Sequence, residues 1–244
     1  MTKKQKSLAQ NADTNSRPEL RIDWATHAAA KFACEKWHYS KTVPVGKLVK
    51  CGVWESGQFI GVVVFAWGMN RNLGKPYGLS LTECCELVRL ALTEHVSPCS
   101  KIIAVALRFL RKQSPGLRLV VSFADPVENH HGGIYQAGNW VYCGTSSGSF
   151  EWNLNGKRLN KRAYTGHNFG NKQLEVPARA LKIRTPGKHR YLMPLDDEMR
   201  RQIEPLRKPY PKRVRSVDSD TSANHAEEGG ANPTRTLLKK RGDA

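Results

Sequence analysis

Between Glu86 and Thr145 the chain carries two short apolar runs joined by an amphipathic segment, and this stretch limits the possible folds more than any other. Residues 87–92 are apolar apart from Arg89, the pattern of a strand covered on both faces and opened at one position. Ser97 and Ser100 offer two N-cap registers for the helix that follows. In that helix Ile103, Ala106, Leu107 and Leu110 recur at three- and four-residue spacing, with Arg108, Arg111 and Lys112 toward its outer side and C-terminal end. Pro115-Gly116 closes a turn, and residues 117–123 form the second apolar run, stopped by Asp125-Pro126. Strand, helix, strand in this order predicts a βαβ unit, with parallel strands and a right-handed crossover. Sites in open parallel sheets gather at the carboxyl ends of strands, where Ser122 and Asp125 lie.

Two hairpins are predicted around that unit. Ser56-Gly57 separates apolar residues 48–55 from 59–67, and Asn155-Gly156 separates 150–154 from 157–164. Asp23 is placed as the cap of a helix running to about Trp37, which delivers His38-Tyr39-Ser40 at its end. Residues 1–20 lack periodicity and read as a disordered basic arm. From about Gly166 prolines and cations dominate, predicting a basic extension over 167–215 that wraps the core and a disordered tail over 216–244. The folded domain is then residues 21–166.

Lys and Arg number 39 against 21 Asp and Glu, a formal net charge of +18, so a polyanion is the first partner to expect and nucleic acid the first polyanion. The six cysteines show no C-x-x-C pair and no signal peptide precedes them, the usage of reduced thiols in a cytoplasmic protein. Apolar runs are too short to span a bilayer, so no membrane partner is expected. No G-x-G-x-x-G follows a strand and no P-loop occurs, so SAM, NAD and ATP sites of standard form are not supported.

The strand–helix–strand unit, followed by Tyr135-Gln136-Ala137-Gly138-Asn139-Trp140 and a strand with Val141, Tyr142 and Gly144, resembles the acyl-CoA-binding half of the N-acetyltransferase (GNAT) superfamily. More closely, H-Y-S at 38–40, P-V-G-K at 44–47, G-V-W-E at 52–55, F-I-G-V-V-V-F at 59–65, E-L-V-R-L-A-L at 86–92, V-S-F-A-D-P at 121–126 and G-G-I-Y-Q-A-G-N-W at 132–140 are together similar to the Mom DNA-modification proteins of Mu-like phages. The resemblance covers roughly residues 38–166. It implies an α/β fold with a GNAT-like mixed, partly parallel twisted sheet flanked by helices and with basic N- and C-terminal extensions. It also implies an enzyme of the host cytoplasm that converts adenine in double-stranded phage DNA, flipped from the helix, to N6-carbamoylmethyladenine. Such DNA would resist host restriction endonucleases, since the added group occupies a major-groove donor.

Adenine N6 is a weak nucleophile that must be oriented and relieved of a proton. Asp125, in F-A-D-P at a strand end, is the first choice for that contact; capping the next helix is its structural alternative. Tyr135 matches the GNAT tyrosine that serves as general acid, or is one more packing aromatic. Arg89 either binds an anion in the cleft or pairs with Glu86, with Ser122 as a neutral donor nearby. His38, Tyr39 and Ser40 line the pocket on this reading, while His38 at a helix end could instead act as a cation on the dipole. For a carbamoylmethyl product the new bond goes to a CH2 carbon. A redox metal is one route, with His38 and Asp125, and His130 and His131 beside them, having the ligand types for iron.

The donor is read as an acyl or aminoacyl group, acetyl-CoA included, with Ser97, Cys99, Ser100 and Lys101 at the helix start as its contacts. The GNAT family carries a Gly-rich pyrophosphate loop there, whereas this chain reads T-E-H-V-S-P-C-S-K with no glycine. DNA contacts are expected from Arg71, Lys75 and Tyr77 in one loop and from Lys157, Arg158, Lys161 and Arg162 on the second hairpin, with Tyr39, Trp67 and Tyr77 as stacking aromatics. The rival readings are a CoA-dependent N-acyltransferase acting on protein or small-molecule amines, and a basic DNA-binding protein without activity.

Overall fold

A computed structural model describes residues 18–67, 70–159, 164 and 174–212. Lys161 and Arg162, residues 1–17 of the expected arm and the whole of the expected tail lie outside the described residues. The chain opens with strand β1 (Leu20–Trp24), paired antiparallel to β2 (Lys47–Glu55) from Leu20 opposite Glu55 to Trp24 opposite Cys51. Asp23 therefore lies in a strand and does not cap the first helix. That role falls to Thr26, whose hydroxyl accepts from the Ala29 N–H at 3.1 Å to start α1 (His27–Trp37). Backbone pairing decides the difference, because β1 beside β2 satisfies groups that a longer α1 would leave at the sheet edge.

β3 (Gln58–Trp67) returns against β2 through Ser56 and Gly57, both at positive φ (48° and 81°), the two-residue turn whose twist matches the strands it joins. β4 (Cys84–Leu92) follows antiparallel to β3, and α2 (Cys99–Gln113) carries the chain over to β5 (Leu119–Ala124), parallel to β4 as expected. Pro98 holds the N-cap position of α2 without a side-chain bond, so neither Ser97 nor Ser100 caps it. A short helix α3 (Gly133–Gln136), then β6 (Val141–Thr145), β7 (Ser149–Leu154), β8 (Lys157–Leu159), β9 (Leu181–Thr185), β10 (His189–Pro194) and α4 (Asp197–Ile203) complete the described elements.

The main sheet has the order β1-β2-β3-β4-β5-β10-β6, mixed and largely antiparallel with β4 and β5 parallel, the GNAT-like arrangement that the resemblance implies. β7, β8 and β9 form a separate three-stranded sheet. β10 lies between β5 and β6, inside the main sheet, although its residues were expected in a wrapping extension. Tyr191 and Leu192 explain this: both are fully buried, one toward each face, and they fill a gap that a surface extension would leave open.

α2 packs Ile102, Ile103, Ala106, Leu107 and Leu110 on one face of the sheet, against Val63, Phe65 and Val120. α1 sets Ala30, Ala33 and Cys34 on the opposite face over Val62, Val64 and Ala91, and α4 sets Met199 and Ile203 over Leu119, Val121 and Leu192. Each buried Val, Leu, Ile, Phe or Met side chain among them contributes on the order of 1.5–3 kcal/mol. Helices on both faces leave the carboxyl ends of β4 and β5 as the place where polar groups can be exposed.

Candidate active site

β4 and β5 pair only from Cys84 opposite Leu119 to Leu87 opposite Ser122, after which β4 continues with β3 alone. The ladder between β3 and β4 shifts register between Val64 and Phe65, which leaves Val88 as the extra residue of a bulge. Arg89 follows the bulge. Its Nη1 donates to the Val88 carbonyl at 2.7 Å and its Nε to the Thr42 carbonyl at 3.1 Å, which fixes the guanidinium at the parting of the strands. Burial lowers its pKa, while Tyr39, Cys34 and Glu86 act in the opposite direction. Glu86 is thus a nearby charge, and the two bonds that hold Arg89 are to carbonyls.

Ser122 is fully buried at the same point, its Oγ 3.0 Å from the Leu87 carbonyl oxygen and 2.8 Å from the Tyr135 hydroxyl. Ser122 is the donor to both, so its single proton is shared between the Leu87 carbonyl and the Tyr135 hydroxyl, which accepts from it. Burial drives the Tyr135 phenol up to about 12, keeping it a neutral acid near pH 7. Its ring also packs on Trp140 and Tyr191 at 5.1 Å, so the packing role is present.

α1 ends at His38, which is buried. The Ser40 backbone N–H donates to His38 Nδ1 at 3.0 Å, and the Ser40 hydroxyl lies 2.8 Å from the same nitrogen. An amide can only donate, so Nδ1 carries no proton and the neutral ring presents Nε2–H. Desolvation, then Arg89, His130 and Lys41, lower its pKa to about 3. His38 is accordingly no cation for the helix dipole. Tyr39 stacks on His38 at 4.3 Å and meets His130 edge-on at 5.4 Å, with 43% of its surface exposed. Burial raises the Tyr39 phenol, and the charges of Lys188, Arg89, Asp125 and Glu128 all act on it. Tyr39 thereby links the two sides of the site.

Asp125 closes the far side. One carboxylate oxygen accepts from the Val127 N–H at 3.1 Å, the cap of a short 3-10 turn, and the other pairs with Lys188 Nζ at 2.8 Å. The structural role is therefore present. Lys188, in the turn before β10, escaped the sequence reading. The loop after Asp125 is seated by Tyr191, whose hydroxyl donates to the His131 carbonyl at 2.5 Å and accepts from Gln136 Nε2 at 3.1 Å. Gly132, at φ 84°, lies against the Tyr191 ring, and a Cβ there would collide with it.

The iron expectation does not fit this geometry. His38 Nδ1 is taken by an amide donor and Nε2 holds the proton, Asp125 is divided between a cap and Lys188, and no group of three ligand-type residues gathers among the described residues. The donor contacts also need correction. Glu55, at the end of β2 and buried, places its two carboxylate oxygens 2.8 Å from the Val96 and Ser97 N–H groups, the backbone donors just before α2. Burial pulls this carboxyl upward, but those N–H groups and His95 outweigh it and hold it below the ordinary range. Ser97 Oγ, buried and without a hydrogen bond of proper geometry, only leans its dipole on the same carboxylate.

Cys99 is equally engaged: His95 Nδ1 donates to the Thr93 carbonyl at 2.7 Å, leaving Nε2 to accept from the Cys99 thiol at 3.4 Å. Ser100 is partly exposed and Lys101 exposed. A protein carboxylate thus occupies two of the backbone amides that lead into α2.

Of the expected DNA contacts, Arg71, Lys75 and Lys157 are exposed and Arg158 lies in β8. Tyr77 is 5% exposed and packs with Leu79, Met199 and Ile203, so it belongs to the core and offers no stacking surface. Trp67 is partly buried against the central core, which leaves Tyr39 as the accessible member of that trio. No helix among the described residues is long and apolar enough to cross a membrane.

A GNAT-like sheet that parts at β4 and β5, with a tyrosine–serine pair, a neutral histidine and a paired aspartate at the opening, defines a protein of the N-acetyltransferase fold class with its own set of site residues. The chain belongs to the Mom protein family, whose model matches residues 19–212. It is 26% identical over 205 residues to the methylcarbamoylase mom of Escherichia phage Mu, covering 80% of this chain and 84% of that one. Among solved structures it is similar to FeeM, an N-acyl amino acid synthase from uncultured soil microbes, with TM-score 0.44, 10% identity and coverage of 76% of this chain and 94% of that one. It is likewise similar to the aminoglycoside acetyltransferase AAC(6')-Ib in complex with coenzyme A and kanamycin, with TM-score 0.43, 10% identity and coverage of 77% and 98%.

Proposed function

We infer that this protein is a phage DNA-modification transferase that attaches a carbamoylmethyl group to N6 of adenine, in the host cytoplasm, with protection from host restriction as the consequence. The observation that carries this reading is the meeting of Asp125, Tyr135, Ser122, Arg89 and His38-Tyr39-Ser40 from four separate elements where β4 leaves β5. The 26% identity to the methylcarbamoylase of phage Mu supports it.

In this scheme the Asp125 carboxylate accepts the N6 hydrogen and Lys188 holds it in place. Tyr39, half exposed, stacks on the extruded base. Tyr135, held by Ser122, is the acid for the departing group, and Arg89 meets negative charge that develops on the donor. Direct acyl transfer would place a carbonyl on N6, so in this scheme N6 bonds to a donor CH2 carbon as the bond from that carbon to its leaving group breaks, and the donor lies outside the amides that Glu55 occupies.

The Glu55 contact counts against the reading as a CoA-dependent acyltransferase of free amines. A DNA-binding protein without activity would not need a neutral buried histidine and a buried tyrosine bonded to a serine where β4 leaves β5. Nucleoside mass spectrometry on plasmid DNA from bacteria expressing the full chain tests the proposal. A deoxyadenosine species of carbamoylmethyl mass, lost in folded Asp125→Ala and Tyr135→Phe variants, is expected. Modified DNA that persists in both variants would overturn the assignment of the site.

A further inference from the structure

The separate sheet of β7, β8 and β9 sorts its residues by face. In an antiparallel pair directly opposed residues share a side, and Phe150 faces Arg184, Trp152 faces Lys182 and Leu154 faces Lys157. Phe150, Trp152, Lys182, Arg184 and Lys157 therefore lie on one side. Glu151, the one acidic residue of the three strands, lies on the other with Ile183.

The two aromatic rings meet edge to face at 5.8 Å, and Lys182 Nζ lies 4.1 Å from the centre of the Phe150 ring. Lys157, Lys182 and Arg184 are exposed, and a shallow depression bounded by Phe150, Lys182, Arg184 and Pro186 opens on this side. A core would not interleave cations with its aromatics, and a merely solvated face would not carry Phe and Trp.

The position of this face is as telling as its composition. The two connections to the main sheet are tied together: the Lys188 N–H donates to Ser146 Oγ at 3.0 Å and the Ser146 N–H to the Lys188 carbonyl at 2.9 Å. Gly187 lies so close to the Ser146 backbone that a Cβ has no room. Thr185, the last residue of β9, is three residues from Lys188, at most about 11 Å of extended chain, and Lys188 pairs with Asp125. The aromatic and cationic face begins beside the rim of the active site.

We propose that this face is a platform for single-stranded DNA next to the target nucleotide. Bases that lose their stacking when the adenine is extruded lie on Phe150 and Trp152, and the phosphates between them meet Lys157, Lys182 and Arg184. Every base has a π face, so the platform is tolerant of sequence. The proposal rests on DNA being the substrate.

The test is fluorescence anisotropy of the full chain with a labelled oligodeoxythymidine of roughly 12 nucleotides, a length that one such groove spans. Trp152→Ala weakens binding about fivefold or more while Trp152→Phe keeps most of it, as expected for stacking. Lys182→Glu with Arg184→Glu, both at exposed positions, lowers affinity and flattens its dependence on salt. Wild-type affinity in both Trp152→Ala and the double charge variant would overturn the platform. Asp125→Ala, which removes the modification, keeps its hold on the oligonucleotide. Wild type that binds through Trp152 yet leaves plasmid DNA unmodified would overturn the modification reading and leave the platform standing.

Discussion

Lys188 Nζ stands 2.8 Å from Asp125 Oδ2, so the turn entering the inserted strand β10 completes a site whose other members come from β4, β5, α3 and the end of α1. This ion pair orients the carboxylate that the proposed chemistry uses. Lys188→Gln is expected to lower the yield of modified deoxyadenosine by about a hundredfold, the scale for loss of one electrostatic contact at a reacting centre. Its melting temperature should fall as well, because the Asp125 carboxylate is buried and loses its cation, a cost on the order of 1–3 kcal/mol. Nucleoside mass spectrometry beside a thermal melt separates the two effects, and an unchanged yield would detach Lys188 from the reaction.

The Tyr135–Ser122–Leu87 chain predicts a contrast between two conservative changes. Tyr135→Phe removes an acid and leaves a buried Ser122 that still reaches the Leu87 carbonyl, so stability falls by about 1 kcal/mol while modification falls by roughly 10²–10⁴. Ser122→Ala strands both the Leu87 carbonyl and the Tyr135 hydroxyl, at a cost of about 1–3 kcal/mol. Chemical denaturation ranks the two variants. A Tyr135→Phe protein as active as wild type would remove the tyrosine from the chemistry.

His38 sets a pH dependence whose sign follows from its lowered pKa. Between about 6.5 and about 3 the unfolded chain takes up a proton on His38 that the folded chain refuses. Folding stability should therefore be complete above pH 6.5 and decline through that window on acidification, by an amount on the order of a few kcal/mol. Denaturant melts from pH 7 to pH 4 should show a shallower decline for His38→Gln than for wild type. Parallel curves would mean that His38 protonates in the folded state.

Glu55 predicts the behaviour of a ligand. With its carboxylate on the Val96 and Ser97 amides, millimolar coenzyme A should leave the melting temperature of wild type unmoved. Glu55→Ala leaves the buried Ser97 donor and the part-buried Val96 donor without their acceptor and should lose about 1–3 kcal/mol. A clear stabilisation of wild type by coenzyme A in differential scanning fluorimetry would show that this loop takes pyrophosphate after all.

Much of this architecture is local and can be read along the chain. Ser56-Gly57 adopts the positive φ angles its residue types permit, and the apolar spacing of Ile103, Ala106, Leu107 and Leu110 is the buried stripe of α2. The parallel pairing of β4 with β5, and Ser122 and Asp125 at the end of β5, follow from helix length and crossover geometry. The excess of cations, too, is a property of composition alone.

What only the tertiary structure decided lies in contacts between residues far apart in the chain. Nothing near Lys188 announces Asp125, nothing near Glu55 announces the amides of Val96 and Ser97, and Tyr77, in a loop of polar composition, is buried because α4 folds over it. β10 reads as surface extension until the gap between β5 and β6 is seen to need Tyr191 and Leu192. Periodicity and turn chemistry report on neighbours within a few residues. The pairing of a charge and the filling of a sheet depend on which distant groups arrive, and that is settled only when the chain has closed on itself.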